Sequence, residues 1–114
     1  MGGSPGTDHR RLNRQMAYRL LVRPEAEADI NIAYLWYEEQ VPGLGSEFLR
    51  CVDACFATIH RNSALYPTVH KQIRRALLRR FPYCAFYVVR DDIIHVLACL
   101  HAKRNPSTYQ TRKG

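Results

Sequence analysis

The apolar positions of this chain follow a helical period in its first half and an extended one in its second. Tyr18–Arg23 (YRLLVR) is short, apolar and β-favouring. It stops at Pro24, which suits a first helical position because no N–H is needed there. Beyond it Ala26, Ile30, Ala33, Tyr34 and Tyr37 recur at helical spacing, with Glu25, Glu27 and Asp29 where the helix dipole favours negative charge. This predicts an amphipathic helix over 24–40, ending before Pro42-Gly43. Ser46 is the expected N-cap of a second helix with apolar positions Leu49, Val52, Phe56 and Ile59. The short PGLG connection predicts an antiparallel helical hairpin. It ends near Asn62, and Ser63–His70 (SALYPTVH) reads as a loop punctuated by Pro67.

From Lys71 the period becomes extended. Tyr83–Arg90 (YCAFYVVR) and Ile93–Leu100 (IIHVLACL) are dense in aromatic and β-branched residues and meet at Asp91-Asp92, the pattern of a two-strand hairpin. Gln72–Phe81 (QIRRALLRRF) reads as a third strand turning at Pro82. Its alternation is broken, because Arg75 and Arg79 share parity with Ile73, Leu77 and Phe81, so it holds either a bulge or arginines on a solvated face. The expected fold is α+β, ordered β-α-α-β-β-β, a helical hairpin packed on a curved antiparallel sheet. Residues 1–15 show no apolar period and read as a disordered extension, leaving 16–114 as one domain.

Composition adds one feature to this picture. With 46% hydrophobic and 24% charged residues the chain is ordinary for a globular protein, but 17 Lys and Arg against 10 Asp and Glu give a formal +7. Residues 18–40 hold two arginines against five acids. Residues 63–114 hold Lys71, Arg74, Arg75, Arg79, Arg80, Arg90, Lys103, Arg104, Arg112 and Lys113 against only Asp91 and Asp92, more than the whole excess. So one-sided a half reads as a site for nucleic acid or an acidic protein. No apolar run approaches the roughly 18–20 residues that span a bilayer, and no apolar export region opens the chain, so a cytoplasmic protein without membrane contact is expected. Cys51, Cys55, Cys84 and Cys99 then read as reduced core residues.

Five segments carry a resemblance: RPEAEADI, WYEEQVPGLGSEFL, NSALYP, VHKQIRRALLRRFPY and LHAKRNP. In this order and spacing, from Met16 to about Tyr109, they resemble the RelE/ParE superfamily of toxins from type II toxin–antitoxin systems, in its ParE-like, plasmid-stabilisation branch. The resemblance implies a small basic toxin held inactive by a cognate antitoxin whose acidic, amphipathic segment wraps its surface. ParE-like members poison DNA gyrase, whereas RelE-like members cut messenger RNA on the ribosome. The first reading is therefore a gyrase-binding toxin, and the alternative a ribosome-dependent mRNA endonuclease. The residues expected to meet the target or the antitoxin are Arg74, Arg75, Arg79, Arg80, Arg90, Lys103 and Arg104.

RNA cleavage needs a group to take the 2′-OH proton, cations to stabilise the developing charge, and a donor for the leaving oxygen. Matched to the nuclease branch, the candidates are Arg79, His101, Arg104 and Tyr109, of which only His101 has an ordinary pKa suited to proton transfer near neutrality. The chain departs from the nuclease pattern: arginines replace the lysine-rich strand, and Pro106 precedes the tyrosine. These departures favour a binding toxin over an enzyme. His95, Cys99 and His101 share parity on one strand, with Cys84 on its neighbour, but no metal-binding spacing completes a site, and neither metal nor cofactor is expected. Tyr34, Trp36 and Tyr37 read as core or as a seam against a partner, while Tyr83, Phe86 and Tyr87, interleaved with the basic strands, are the better candidates to stack on bases.

Overall fold

A computed structural model describes residues 18–113, so the expected extension at 1–15 lies outside the described residues. The chain enters through β1 (Arg19–Val22) and turns at Arg23 into α1 (Pro24–Gln40). Arg23 is extended (φ −66°, ψ 154°), as a residue before proline must be, and Pro24 opens the helix as expected. After α2 (Leu44–Arg61) come β2 (Thr68–His70), β3 (Ile73–Leu77), β4 (Tyr83–Arg90), β5 (Ile93–His101) and a single helical turn, α3 (Ser107–Gln110).

The five strands form one open sheet in the order β1-β5-β4-β3-β2. The helical hairpin carries the chain across one face of the sheet to its far edge, and the meander walks back until β5 lies beside β1. That return makes β1 and β5 parallel, with Arg19 opposite Ile93 and Val22 opposite Val96, while every other pair is antiparallel as expected. The segment read as a loop before Lys71 ends in the short edge strand β2, and the third strand stops at Leu77.

The helical hairpin differs in detail from its expected form. The α2 N-terminus does not use Ser46; Gly43, in the left-handed region at φ 90°, precedes the first turn, and the Glu38 carboxylate accepts the N–H groups of Gly43 and Gly45, each at 2.9 Å. Gly45 is buried where the helices approach most closely, and a Cβ there would lie 2.8 Å from the Tyr34 carbonyl and ring. α2 buries Val52 and Ile59 as expected, together with Phe48 and Cys55, while the expected Leu49 and Phe56 are only half-buried. Tyr37, Phe48, Phe81 and Tyr83 form an aromatic cluster between helices and sheet, with ring centroids 4.9–6.0 Å apart. α1 is not amphipathic: Ala26 and Ala33 are buried, but Ile32, Leu35 and Trp36 stand on the opposite side, each more than half exposed.

Among the described residues, no long helix covers the opposite face of the sheet. Arg74, Ala76 and Leu78 point toward the helical hairpin, whereas Ile73, Arg75 and Leu77 point to this second face, which explains the broken alternation without a bulge in β3. Bulges lie instead in β2, where the register shifts between Thr68 and His70, and in β5, where Tyr87 pairs with Val96 but Phe86 with Ala98, leaving Leu97 extra. Leu97 and Ala98 consequently both join the core of the second face.

Candidate functional site

The second face is closed at its centre by the C-terminal segment. Tyr109, on α3, stacks flat on Phe86 with centroids 3.9 Å apart and planes 13° apart. Arg112 then wraps the sheet edge. β1 has four residues and β5 nine, so beyond Val96 the outer edge of β5 has no neighbouring strand. Two side chains replace it. The Asp29 carboxylate accepts the Cys99 N–H at 3.1 Å, and Arg112 Nη1 donates to the Leu97 carbonyl at 3.0 Å and to Asp29 Oδ2 at 2.7 Å. This clasp ties α1, β5 and the C-terminal segment together, satisfying edge groups that would otherwise depend on water.

The residues expected to meet a partner divide into two groups. Arg74 faces the hairpin side and donates to the Tyr66 carbonyl and, at 3.5 Å, to that of Ala64, fixing the loop after α2. Tyr87 reinforces that loop by donating its hydroxyl to Ser63 O at 2.7 Å. Arg80, left-handed at φ 69°, pairs with Glu47 at 2.6 Å on the surface. Arg74 and Arg80 are thus already engaged within the chain. Arg75, Arg79, Arg90, Lys103 and Arg104 are exposed, and neither ion pair among the described residues engages them. The exposed Ile32, Leu35 and Trp36 add an apolar surface on α1, where Trp36 meets the Tyr37 ring edge-on at 5.1 Å.

The candidate catalytic groups do not converge. His101 lies opposite Tyr83 on the hairpin-facing side, with ring centroids 5.6 Å apart, and its Nδ1 accepts the Lys103 N–H at 3.1 Å. Burial raises the Tyr83 and Tyr66 hydroxyls above their ordinary value, and the charges of Arg104 and Arg79, respectively, only partly oppose that. Tyr109 is buried on the opposite face against Phe86. His101 and Arg104 are neighbours, the Arg104 N–H donating to the His101 carbonyl at 2.8 Å, whereas Tyr109 lies on the other face of the sheet. Phe86 and Tyr87 are also buried, on opposite faces, so they cannot offer rings to stack on bases.

The β5 bulge also separates the residues weighed as metal ligands. Cys99 and His101 lie on the hairpin-facing side, while His95 and Cys84 point to the second face. Burial pushes the Cys55 thiol up to about 11 and raises those of Cys84 and Cys99, keeping all three as inert thiols. His95 is shifted down by desolvation, then by the charges of Arg23 and Arg90. Its Nδ1 and Arg23 Nε are buried without a hydrogen-bond partner among the described residues.

Sequence reasoning overlooked Asp29 and Arg112 as a pair, because two residues 83 positions apart leave no periodic signal. Lys71 and Lys113 entered the charge count without being singled out. The unequal lengths of β1 and β5 were the available clue that something must cover the β5 edge.

Residues 20–106, well over half of the chain, match the family described as the ParE toxin of the type II toxin-antitoxin system, parDE. No curated protein matches the chain. A solved structure described as the chromosomal ParDE TA system from P. aeruginosa is similar, with 19% identity, a TM-score of 0.68, and coverage of 75% of this chain and 96% of that chain. At that identity the likeness speaks for the fold, and it agrees with the α+β architecture expected of this superfamily. With the family matched across the hairpin and the whole sheet, the chain belongs to the ParE toxin family of type II toxin–antitoxin systems.

Proposed function

We propose that this toxin arrests growth by binding DNA gyrase and is neutralised by a cognate antitoxin encoded beside it. The observation that carries the reading is the family match over 20–106, joined to a surface built for binding. Arg75, Arg79, Arg90, Lys103 and Arg104 are exposed and outside both ion pairs found among the described residues, and α1 offers Ile32, Leu35 and Trp36 to an apolar surface. An acidic, amphipathic antitoxin segment would gain from both at once. A binding toxin needs no proton-transfer pair, and the separation of Tyr109 from His101 weighs in its favour over the endonuclease reading.

The test is a supercoiling assay with purified full-length chain. Inhibition at near-stoichiometric ratio to gyrase, with translated messages left intact, is the expected result. Full supercoiling at large excess would refute the gyrase reading, and codon-phased cuts in messages lost on His101→Ala would replace it with the endonuclease. The antitoxin half requires a neighbouring small reading frame whose product restores growth and co-purifies with this chain.

A further inference from the structure

On the second face, to one side of the segment that carries Tyr109, lies an open cavity of about 320 Å³. Its wall brings together cations from three distant parts of the chain: Lys71 in the β2–β3 turn, Arg90 at the end of β4, and Lys113 in the C-terminal segment. Its floor is apolar, made by Ile73, Val88 and Leu97, and Gln72 and Gln110 offer side-chain amides at the rim. His70 also lines it, and no Asp or Glu among the described residues does. Arg112 also lines it but is neutralised by Asp29, which leaves Lys71, Arg90 and Lys113 outside both ion pairs found among the described residues.

Three like charges gathered around one cavity repel each other, and a bound anion would remove that penalty. A single carboxylate would balance one of them. A phosphomonoester carries roughly −1.5 to −2 at neutral pH and three strong acceptor oxygens, which suits lysine and arginine donors converging from different sides. The cavity volume lies at the low end of the roughly 300–1,000 Å³ typical of small-molecule sites, and its apolar floor suits a flat organic group. Lys71 and Arg90 lie within the residues matched to the ParE family, and Gln110, Arg112 and Lys113 beyond them.

We propose that this cavity binds a phosphomonoester of mononucleotide size, its phosphate held by Lys71, Arg90 and Lys113 and its organic part resting on Ile73, Val88 and Leu97. The site shares Arg90 with the surface read above as partner-binding, but its test does not depend on the gyrase reading.

Calorimetric titration of the full chain in phosphate-free, low-salt buffer tests the assignment, with AMP, adenosine, inorganic phosphate and citrate as probes. AMP should bind saturably at one site per chain, more tightly than inorganic phosphate, while adenosine binds much more weakly. Arg90→Gln and Lys113→Gln should each weaken AMP by about tenfold, the usual worth of a charge-assisted hydrogen bond. Arg79→Gln, a cation outside this cavity, should leave AMP affinity unchanged. Unfolding midpoints equal to that of the parent chain would show that the variants remain folded. Binding of AMP unchanged in both Arg90→Gln and Lys113→Gln would overturn the proposal. So would citrate binding as tightly as AMP, which would mean that charge alone is read, or an unphosphorylated oligonucleotide displacing AMP at lower concentration than AMP itself binds, which would assign the cations to a phosphodiester backbone.

Discussion

Removing either half of the Asp29–Arg112 clasp should loosen the C-terminal segment and destabilise the whole fold. The side chains are only 11% and 19% exposed, Nη1 to Oδ2 is 2.7 Å, and each residue also satisfies a backbone group of β5. Breaking a fully buried pair by deleting one partner costs about 3–5 kcal/mol, because the remaining charge is left uncompensated. Residual solvent access lowers that here, so Arg112→Ala should cost about 2–3 kcal/mol, and Asp29→Ala a similar amount. Asp29→Asn retains an acceptor for the Cys99 N–H and should cost about half as much. These are large fractions of the roughly 5–15 kcal/mol that a domain of this kind has in total. Urea unfolding of both single variants and the double variant gives the coupling directly, with an expected coupling energy above ~1.5 kcal/mol. Hydrogen exchange supplies the local readout: amides 107–112 and Cys99 should lose protection in Arg112→Ala while those of α2 keep theirs. A coupling below ~0.5 kcal/mol, or unchanged exchange at Cys99, would refute the idea that this pair substitutes for a missing strand.

Three further outcomes follow from the same structure. Gly45→Ala should destabilise by about 1–2 kcal/mol in chemical denaturation, since the added carbon meets the Tyr34 carbonyl at 2.8 Å and the helices must part, outweighing the gain in helix propensity. Asp91 and Asp92 both have positive φ, at 55° and 60°, as a two-residue type I′ hairpin requires, so Asp92→Gly should raise stability by about 0.5–1 kcal/mol in the same assay. Because desolvation and two nearby arginines hold His95 below its ordinary value, the unfolded chain takes up its proton first as pH falls. Stability from this group is therefore intact above about pH 7 and lost as pH drops through the unfolded value near 6.5; the urea midpoint of His95→Gln should fall less steeply from pH 7 to 5 than that of the parent chain.

Much of the fold was legible because its signals are local. The Pro24 helix start, the PGLG turn and the hairpin at Asp91-Asp92 each come from a few adjacent residues with one physical reason. What escaped depends on pairing across the fold. The parallel placement of β1 reflects where the hairpin delivers the chain, and no residue in YRLLVR encodes it. On α2, Val52 and Ile59 face inward as their spacing predicts, but Leu49 and Phe56 are as apolar as Phe48 and Cys55, and only the angle at which α2 meets the sheet decides between them. The single extra residue at Leu97 reverses the side on which every later β5 residue points, so parity counted from His95 to Cys99 could not survive it. Of the proposed partner-binding arginines, Arg74 and Arg80 were indistinguishable in sequence from Arg75 and Arg79, although the first pair is held within the molecule.

That division changes what the basic half of the chain means. Arg74 holds a loop, Arg80 pairs across to α2, and Arg112 closes a sheet edge, so part of the charge excess serves the fold and is not offered to a partner. Of the remaining cations, Arg75 pairs across to Phe86, on which the segment bearing Tyr109 is stacked, and Lys71, Arg90 and Lys113 surround a cavity that the same segment helps to line. A single acidic segment reaching both would have to cross that segment or displace it. For a partner that covers both groups, loosening the Tyr109 stack or the Asp29–Arg112 clasp is expected to change how much of the sheet face is covered. Variants of the clasp should consequently change partner affinity in a way that correlates with their exchange at residues 107–112, even though neither Asp29 nor Arg112 belongs to the exposed cationic surface.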